Sequence, residues 1–250
     1  MLLAHGFGTD QEMWARVVPL LAEDRPVLLM DHVGAGRSDL AAYDPAGHRS
    51  LRGYARDLVD LLDELGAGPL HYVGHSAGGM IGLLASVERP DLFASLTLIG
   101  ASPRYLDDEG YIGGFTRETV DELLEAMEAN YLGWSSALAP VVMANPDRPE
   151  LADELAATFA RARAGVALDF ARAIFLSDFR AALPGVVVPT LVVQTAADPM
   201  VPTVVGSYLQ QHIPAAQLVD LHATGHFPHV SGPEETAGVV RAFLASRSER

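Results

Sequence analysis

The sequence contains no cysteine and no lysine; its 17 basic residues are all arginine. Without cysteine there is no thiol nucleophile, no cysteine-ligated zinc or iron-sulfur cluster, and no disulfide record of a redox compartment. Without lysine there is no Schiff base to pyridoxal phosphate and no P-loop, so two large enzyme classes are excluded. Positive charge is scarce overall: the formal net charge of -15 argues against nucleic acid or an anionic membrane surface as partner, because both recruit basic patches. No apolar run approaches the roughly 18 to 20 residues that span a bilayer. Met1 to Ala4 lead straight into His5-Gly6 with no charged segment or cleavage site. A cytoplasmic protein is expected. Repeats, low-complexity tracts and linkers are also lacking, so one domain over residues 1–250 is expected.

What is present is an alternation. Short apolar runs at Val27 to Met30, Leu70 to Val73, Leu96 to Ile99, Leu191 to Gln194 and Gln217 to Leu221 read as buried parallel strands. Between two of them, Tyr54, Leu58, Leu61, Leu62 and Leu65 follow helical spacing, with acidic residues elsewhere on the wheel. The implied fold is α/β: a mostly parallel sheet with helices on both faces. From about 101 to 189 the alternation stops and helical patterns dominate, which predicts an inserted helical cap. Thr119 and Glu122 suggest a capping box before a face of Val120, Leu123, Leu124, Met127 and Tyr131. Leu151, Leu155 and Phe159 suggest a second helix, and Val166, Phe170 and Ile174 a third. The prolines at 140, 146 and 149 are expected to break the chain between the first two.

Gly74-His75-Ser76-Ala77-Gly78 lies between a strand and the helix-compatible run Met80 to Val87. In that context it predicts a nucleophile elbow, whose glycines allow strand and helix to cross while the serine is lifted above the sheet. A serine hydroxyl needs a base, and the base an orienting acid, in the chain order serine, acid, histidine. Asp198 follows the strand Leu191 to Gln194, where catalytic groups collect; Asp178, in the helical insertion, and Asp220, inside a strand, compete with it. His226, preceded by Gly225 in the loop after Gln217 to Leu221, is the favoured base over His222, His229, His71 and His212. The oxyanion of an acyl-transfer intermediate needs two donors. The backbone NH groups of Ala77 and of Phe7, in the loop His5-Gly6-Phe7-Gly8, are expected to supply them, with His5 bracing that loop. Val33 to Ser38 is glycine-rich but lacks a full dinucleotide fingerprint, and reads as a structural turn. The aromatics Phe115, Tyr131, Trp134, Phe159, Phe170 and Phe175 belong to the insertion, as core or as walls of a substrate pocket.

These residues resemble bacterial RsbQ-type stress-signalling hydrolases and the related karrikin and strigolactone receptors of plants, all α/β-hydrolases. The resemblance is carried by His5 to Gln11, Asp31 to Asp39, Val73 to Gly78 and Gly225-His226 with Pro228-His229. It is also carried by cap stretches such as Ser102 to Leu106, Gly113 to Phe115, Asn130 to Trp134 and Phe175 to Asp178. It implies a triad of Ser76, Asp198 and His226, oxyanion NH groups on Phe7 and Ala77, and a four-helix, V-shaped cap over an apolar pocket. It also implies a small hydrophobic ester or lactone as substrate and no cofactor. A signalling role with slow hydrolysis and a regulatory phosphatase partner is the alternative. The serine at the elbow argues against the aspartate-nucleophile dehalogenases that share the fold. Two departures stand out. Relatives usually carry a longer stretch before the His-Gly-Phe-Gly loop, forming the first two strands, so either a misassigned start or an edge missing from the sheet is expected; and Phe227 stands where many relatives have a small residue or cysteine.

Overall fold

A computed structural model describes residues 1–23 and 25–248. Its strands are β1 (Leu2–Ala4), β2 (Leu28–Met30), β3 (Leu70–His75), β4 (Phe93–Ile99), β5 (Thr190–Thr195) and β6 (Gln217–Leu221). Among the described residues they form one sheet in the order β2-β1-β3-β4-β5-β6, with every pairing parallel. Five of these strands coincide with the apolar runs to within a few residues. β1 does not announce itself, because three residues are too few to show a period. It is nonetheless internal, with Leu3 registered to Leu29 on one side and Val73 on the other. The edge is β2, where Leu28 and Leu29 are exposed.

The chain passes from β1 to one neighbour and then returns to β3 on the other side, which creates a topological switch point. Loops leaving the carboxyl ends of strands that diverge there can face one another across a crevice. This places the His5 to Gly8 loop beside the end of β3. Helices α1 (Val18–Ala22), α2 (Leu51–Leu65) and α3 (Ala77–Glu88) join the early strands. The helix α2 starts at Ser50, whose side chain accepts from the Arg52 NH, and stops at Gly66 in the left-handed region (φ 57°). Tyr54, Leu58 and Leu62 are buried as their spacing predicts and Leu61 is half-buried, but Leu65, the last residue of the helix, is exposed.

Four helices intervene between β4 and β5: α4 (Arg117–Ala129), α5 (Tyr131–Met143), α6 (Pro149–Arg161) and α7 (Ala164–Phe175). The α4 helix begins one turn earlier than the expected capping box: Thr116, not Thr119, is the N-cap, and its hydroxyl accepts from the Thr119 NH. Thr119 is thereby committed as the capped residue. Pro140 does not break the chain as expected; it lies within α5, which runs on to Met143 and ends at Ala144 with φ 49°. The helix tolerates the lost hydrogen bond because Ala139, Val142 and Met143 pack against Leu151, Leu155 and Phe159 of α6 and against Phe227. Tyr131 opens α5 rather than extending α4, under a cap made by the Asn130 side chain.

After β5 come α8 (Thr203–His212), α9 (Pro228–Ser231) and α10 (Pro233–Ser248). One face of the sheet buries Leu3, Val73, Ile99, Leu191 and Val193 against Trp14, Val17, Leu21 and Val240; the other packs on α2, α3 and the inserted helices. No helix of the described residues is long and apolar enough to cross a membrane.

Candidate active site

Ser76 sits between β3 and α3 with φ 52° and ψ -120°, a strained conformation for a residue with a side chain. The turn closes only because its neighbours lack side chains. A Cβ on Gly74 would lie 2.6 Å from the backbone of Gly78 and Gly79, and one on Gly78 would lie 2.4 Å from the His5 carbonyl oxygen. A Cβ on Gly6 would come within 2.8 Å of His75 Nδ1 and 3.1 Å of Ser76 Cβ. The loop after β1 therefore lies directly against the serine, which brings Phe7 to the cavity of Ser76 and sets Ala77 at the first turn of α3. Free NH groups at that helix start and the positive end of its dipole favour negative charge there.

The three residues named from chain order stand in one hydrogen-bonded row. Ser76 Oγ is 2.9 Å from His226 Nε2, and His226 Nδ1 is 2.8 Å from Asp198 Oδ2. All three side chains are buried or nearly so. Asp198 Oδ1 accepts from the Met200 NH at 2.8 Å and the Val201 NH at 3.1 Å, which fixes the carboxylate with its other oxygen towards the imidazole. Gly225 has φ 84°, and a Cβ there would lie 2.0 Å from the Met143 carbonyl oxygen, so the approach of the His226 loop to α5 requires glycine. The His226 NH in turn donates to Val142 O at 2.8 Å. The competing acids are engaged elsewhere. Asp178 pairs with Arg180 and Arg104, and the Arg180 hydrogen bonds hold its carboxyl below the usual range; Asp220 accepts from Gln194.

The cavity above Ser76 has a volume of about 30 Å³ and a largely apolar wall. Of the six cap aromatics, Trp134, Phe159 and Phe175 line it, together with Phe7, Leu138 and Phe227. The other three stand apart from the serine. Phe115 packs behind Tyr105 and Phe175, and the Tyr131 hydroxyl donates to Phe159 O while its ring lies 6.0 Å from Trp134. Phe170 lines a different cavity. Phe227, the departure noted in the sequence, fills space between His75, His226 and Phe159.

Sequence reasoning missed Tyr105, whose hydroxyl lies 3.4 Å from Ser76 Oγ. Burial raises its pKa, so the phenol keeps its proton and can donate. Its position in the loop after β4 was the available signal, since the carboxyl ends of strands collect such groups. Gly100 was missed too: a Cβ there would lie 3.3 Å from His226 Cε1 and 3.4 Å from Asp198 Oδ2.

Four other histidines hold the scaffold. His5 Nε2 accepts from the His32 NH, so its Nδ1 carries the proton and donates to Gly6 O; His32 Nε2 donates to His5 O. His75 Nε2 donates to the His226 carbonyl, and His229 stacks between His75 and Trp14. Burial pushes His32 and His229 down to about 3, and lowers His5 and His75 as well. Above pH 6.5 these groups are neutral both folded and unfolded. As pH falls below that, the unfolded chain takes up protons that the folded one refuses, so stability is lost. For His32 and His229 the loss at pH 5 is about 2 kcal/mol each. Urea denaturation at pH 7.5 and pH 5 should therefore show a drop of about 4 kcal/mol from these two residues. Equal stability at the two pH values would contradict this.

A family model described as the alpha/beta hydrolase fold matches residues 1–233. The Karrikin insensitive 2 receptor CA of Petunia hybrida is 42% identical over 241 residues, 96% of this chain and 89% of that protein. The Strigolactone esterase D14 of Arabidopsis thaliana is 40% identical over 245 residues, 98% of this chain and 91% of that protein. A solved hydrolase from Oleispira antarctica matches with a TM-score of 0.95 at 36% identity, covering 98% of this chain and 90% of the other.

Proposed function

This chain belongs to the α/β-hydrolase family and is a relative of the plant karrikin and strigolactone receptors, and from that premise we propose that it cleaves small hydrophobic esters or lactones through an acyl-serine intermediate. The observation that carries this reading is the row from Ser76 through His226 to Asp198 beneath an apolar cavity. Ser76 Oγ attacks the substrate carbonyl carbon as His226 Nε2 takes its proton. Asp198 holds the imidazole in the tautomer that can accept that proton and stabilises the imidazolium. The Phe7 and Ala77 NH groups receive the oxyanion. Collapse expels the alkoxide, which takes the proton from His226. Water then adds to the acyl-enzyme, giving one proton to His226, and the acid departs as Ser76 recovers its hydrogen.

Cavity size supports a short acyl group. About 30 Å³ holds one or two waters, so a longer chain fits only if an aromatic wall moves. On p-nitrophenyl esters from acetate to octanoate, turnover should be highest for acetate and fall with chain length; no turnover of any ester would overturn the reading. Trp134→Ala should raise hexanoate turnover relative to acetate by about tenfold, because each accommodated methylene contributes to the specificity of an apolar pocket. Equal losses for all chain lengths would mean that Trp134 only holds the cap together.

The names of the receptor relatives favour a second reading, in which hydrolysis is slow and accompanies ligand sensing. A burst of one product equivalent per protein, followed by little further turnover, would favour it; steady multiple turnover favours the esterase.

A further inference from the structure

A second cavity of about 270 Å³ lies beyond the oxyanion loop, and no residue lining it also lines the cavity of Ser76. Its walls come from the loop after β1, the Val33 to Ser38 turn and the α6–α7 junction. The turn is structural, since Gly34 and Gly36 take φ 82° and 50°. Val33, Val166, Ala167 and Phe170 give the cavity an apolar side that suits an alkyl chain.

Phe159 stands between the two spaces. It is buried and lines the cavity of Ser76, while its neighbours Thr158 and Ala162 line the second cavity. Its ring lies directly against Gly8, another residue of the second cavity: a Cβ on Gly8 would come 2.7 Å from Phe159 Cδ1 and 2.9 Å from Cε1. Having no side chain, Gly8 adds only backbone to the partition. Phe7 supplies the rest, with its ring centroid 6.2 Å from that of Phe159 and 6.2 Å from that of Phe170 in the second cavity. Phe7 belongs to the loop that receives the oxyanion, which leaves Phe159 as the part of the wall free to vary in size.

Resting on the esterase reading above, we infer that Phe159 is the residue that sets the longest acyl group the site accepts. Its ring confines the acyl chain to the space of about 30 Å³ beside Ser76 and shuts it out of the second cavity. A smaller side chain at this position joins the two spaces and lets a long acyl chain run past Gly8 towards Phe170.

The test is kcat/KM on p-nitrophenyl acetate and octanoate for the wild type, Phe159→Leu and Phe159→Ala, each alone and combined with Ala162→Phe. Ala162 lines the second cavity and not that of Ser76, so a larger side chain there blocks only the added space. The octanoate-to-acetate ratio should rise about tenfold in Phe159→Leu and about a hundredfold in Phe159→Ala, because each methylene newly accommodated adds to the preference of an apolar pocket. Adding Ala162→Phe should return the ratio to within about threefold of the wild type. Trp134→Ala widens the Ser76 cavity from α5, and its ratio should not respond to Ala162→Phe. Val166→Phe is the second blocking variant, and Phe159→Leu carries the test if Phe159→Ala fails to fold. Acetate turnover with an unchanged ratio in the folded Phe159 variants would overturn the inference and leave the esterase reading standing. A rise that survives both blocking variants would mean local widening alone and overturn it equally. Absence of turnover on every ester in the wild type would overturn the esterase reading, and this inference with it.

Discussion

Replacing Ser76 with alanine is expected to lower kcat for a short aryl ester by about 10⁴ to 10⁶ while leaving the thermal midpoint close to that of the wild type. Among the described residues the hydroxyl has two polar partners, His226 Nε2 at 2.9 Å and Tyr105 Oη at 3.4 Å, and neither bond ties one strand of the sheet to another. What holds the elbow is backbone: the Ser76 NH donates to Ile99 O at 2.8 Å, and the glycines around it admit the crossing chain. Alanine keeps the Cβ and inherits the same strained φ, so the loss is chemical. Turnover within tenfold of wild type in the folded variant would remove Ser76 from the role of nucleophile.

Asp198→Asn should cost about 10⁴ in kcat for a different reason. Two backbone NH groups point at Asp198 Oδ1, so an asparagine keeps its carbonyl oxygen there and turns its NH2 towards His226 Nδ1. The imidazole must then accept at Nδ1 and carry its proton on Nε2, facing Ser76. In that tautomer it cannot act as base. Asp178→Asn, by contrast, disturbs a partly exposed ion-pair cluster with Arg104 and Arg180, and should change kcat less than tenfold. Steady-state rates of both folded variants make the comparison, and a larger loss in Asp178→Asn would require a different acid.

Much of the fold was legible because the signals are local. The strands β2 to β6 are short apolar runs bounded by turns, and α2 carries a strong helical period between a serine cap and a glycine stop. What was not legible depended on tertiary contacts. The strand β1 is identified only by its pairing on both sides. The α5 helix carries apolar residues on most of its surface, having Val141 and Leu132 exposed while Ala139 and Val142 pack inside, so it shows no clear face. Its proline suggested a break that packing against α6 overrides.

The site divides in the same way. Ser76, Asp198 and His226 could be named because each occupies the carboxyl end of a strand in a fixed chain order. The cap aromatics could not be sorted. Trp134 and Phe175 face the serine while Phe115 and Phe170 do not, a distinction set by how α4 to α7 pack and not by residue type. Tyr105 was hidden for a related reason, since nothing in the residue type sets it apart from the other aromatics of this region and only the packing brings its hydroxyl to Ser76.

The most direct test of the account is to treat the protein with a fluorophosphonate and map the adduct by peptide mass spectrometry. The account predicts one modified residue, Ser76, with labelling lost in Ser76→Ala and strongly slowed in Asp198→Asn. An unlabelled protein, or an adduct on any other residue, would contradict it.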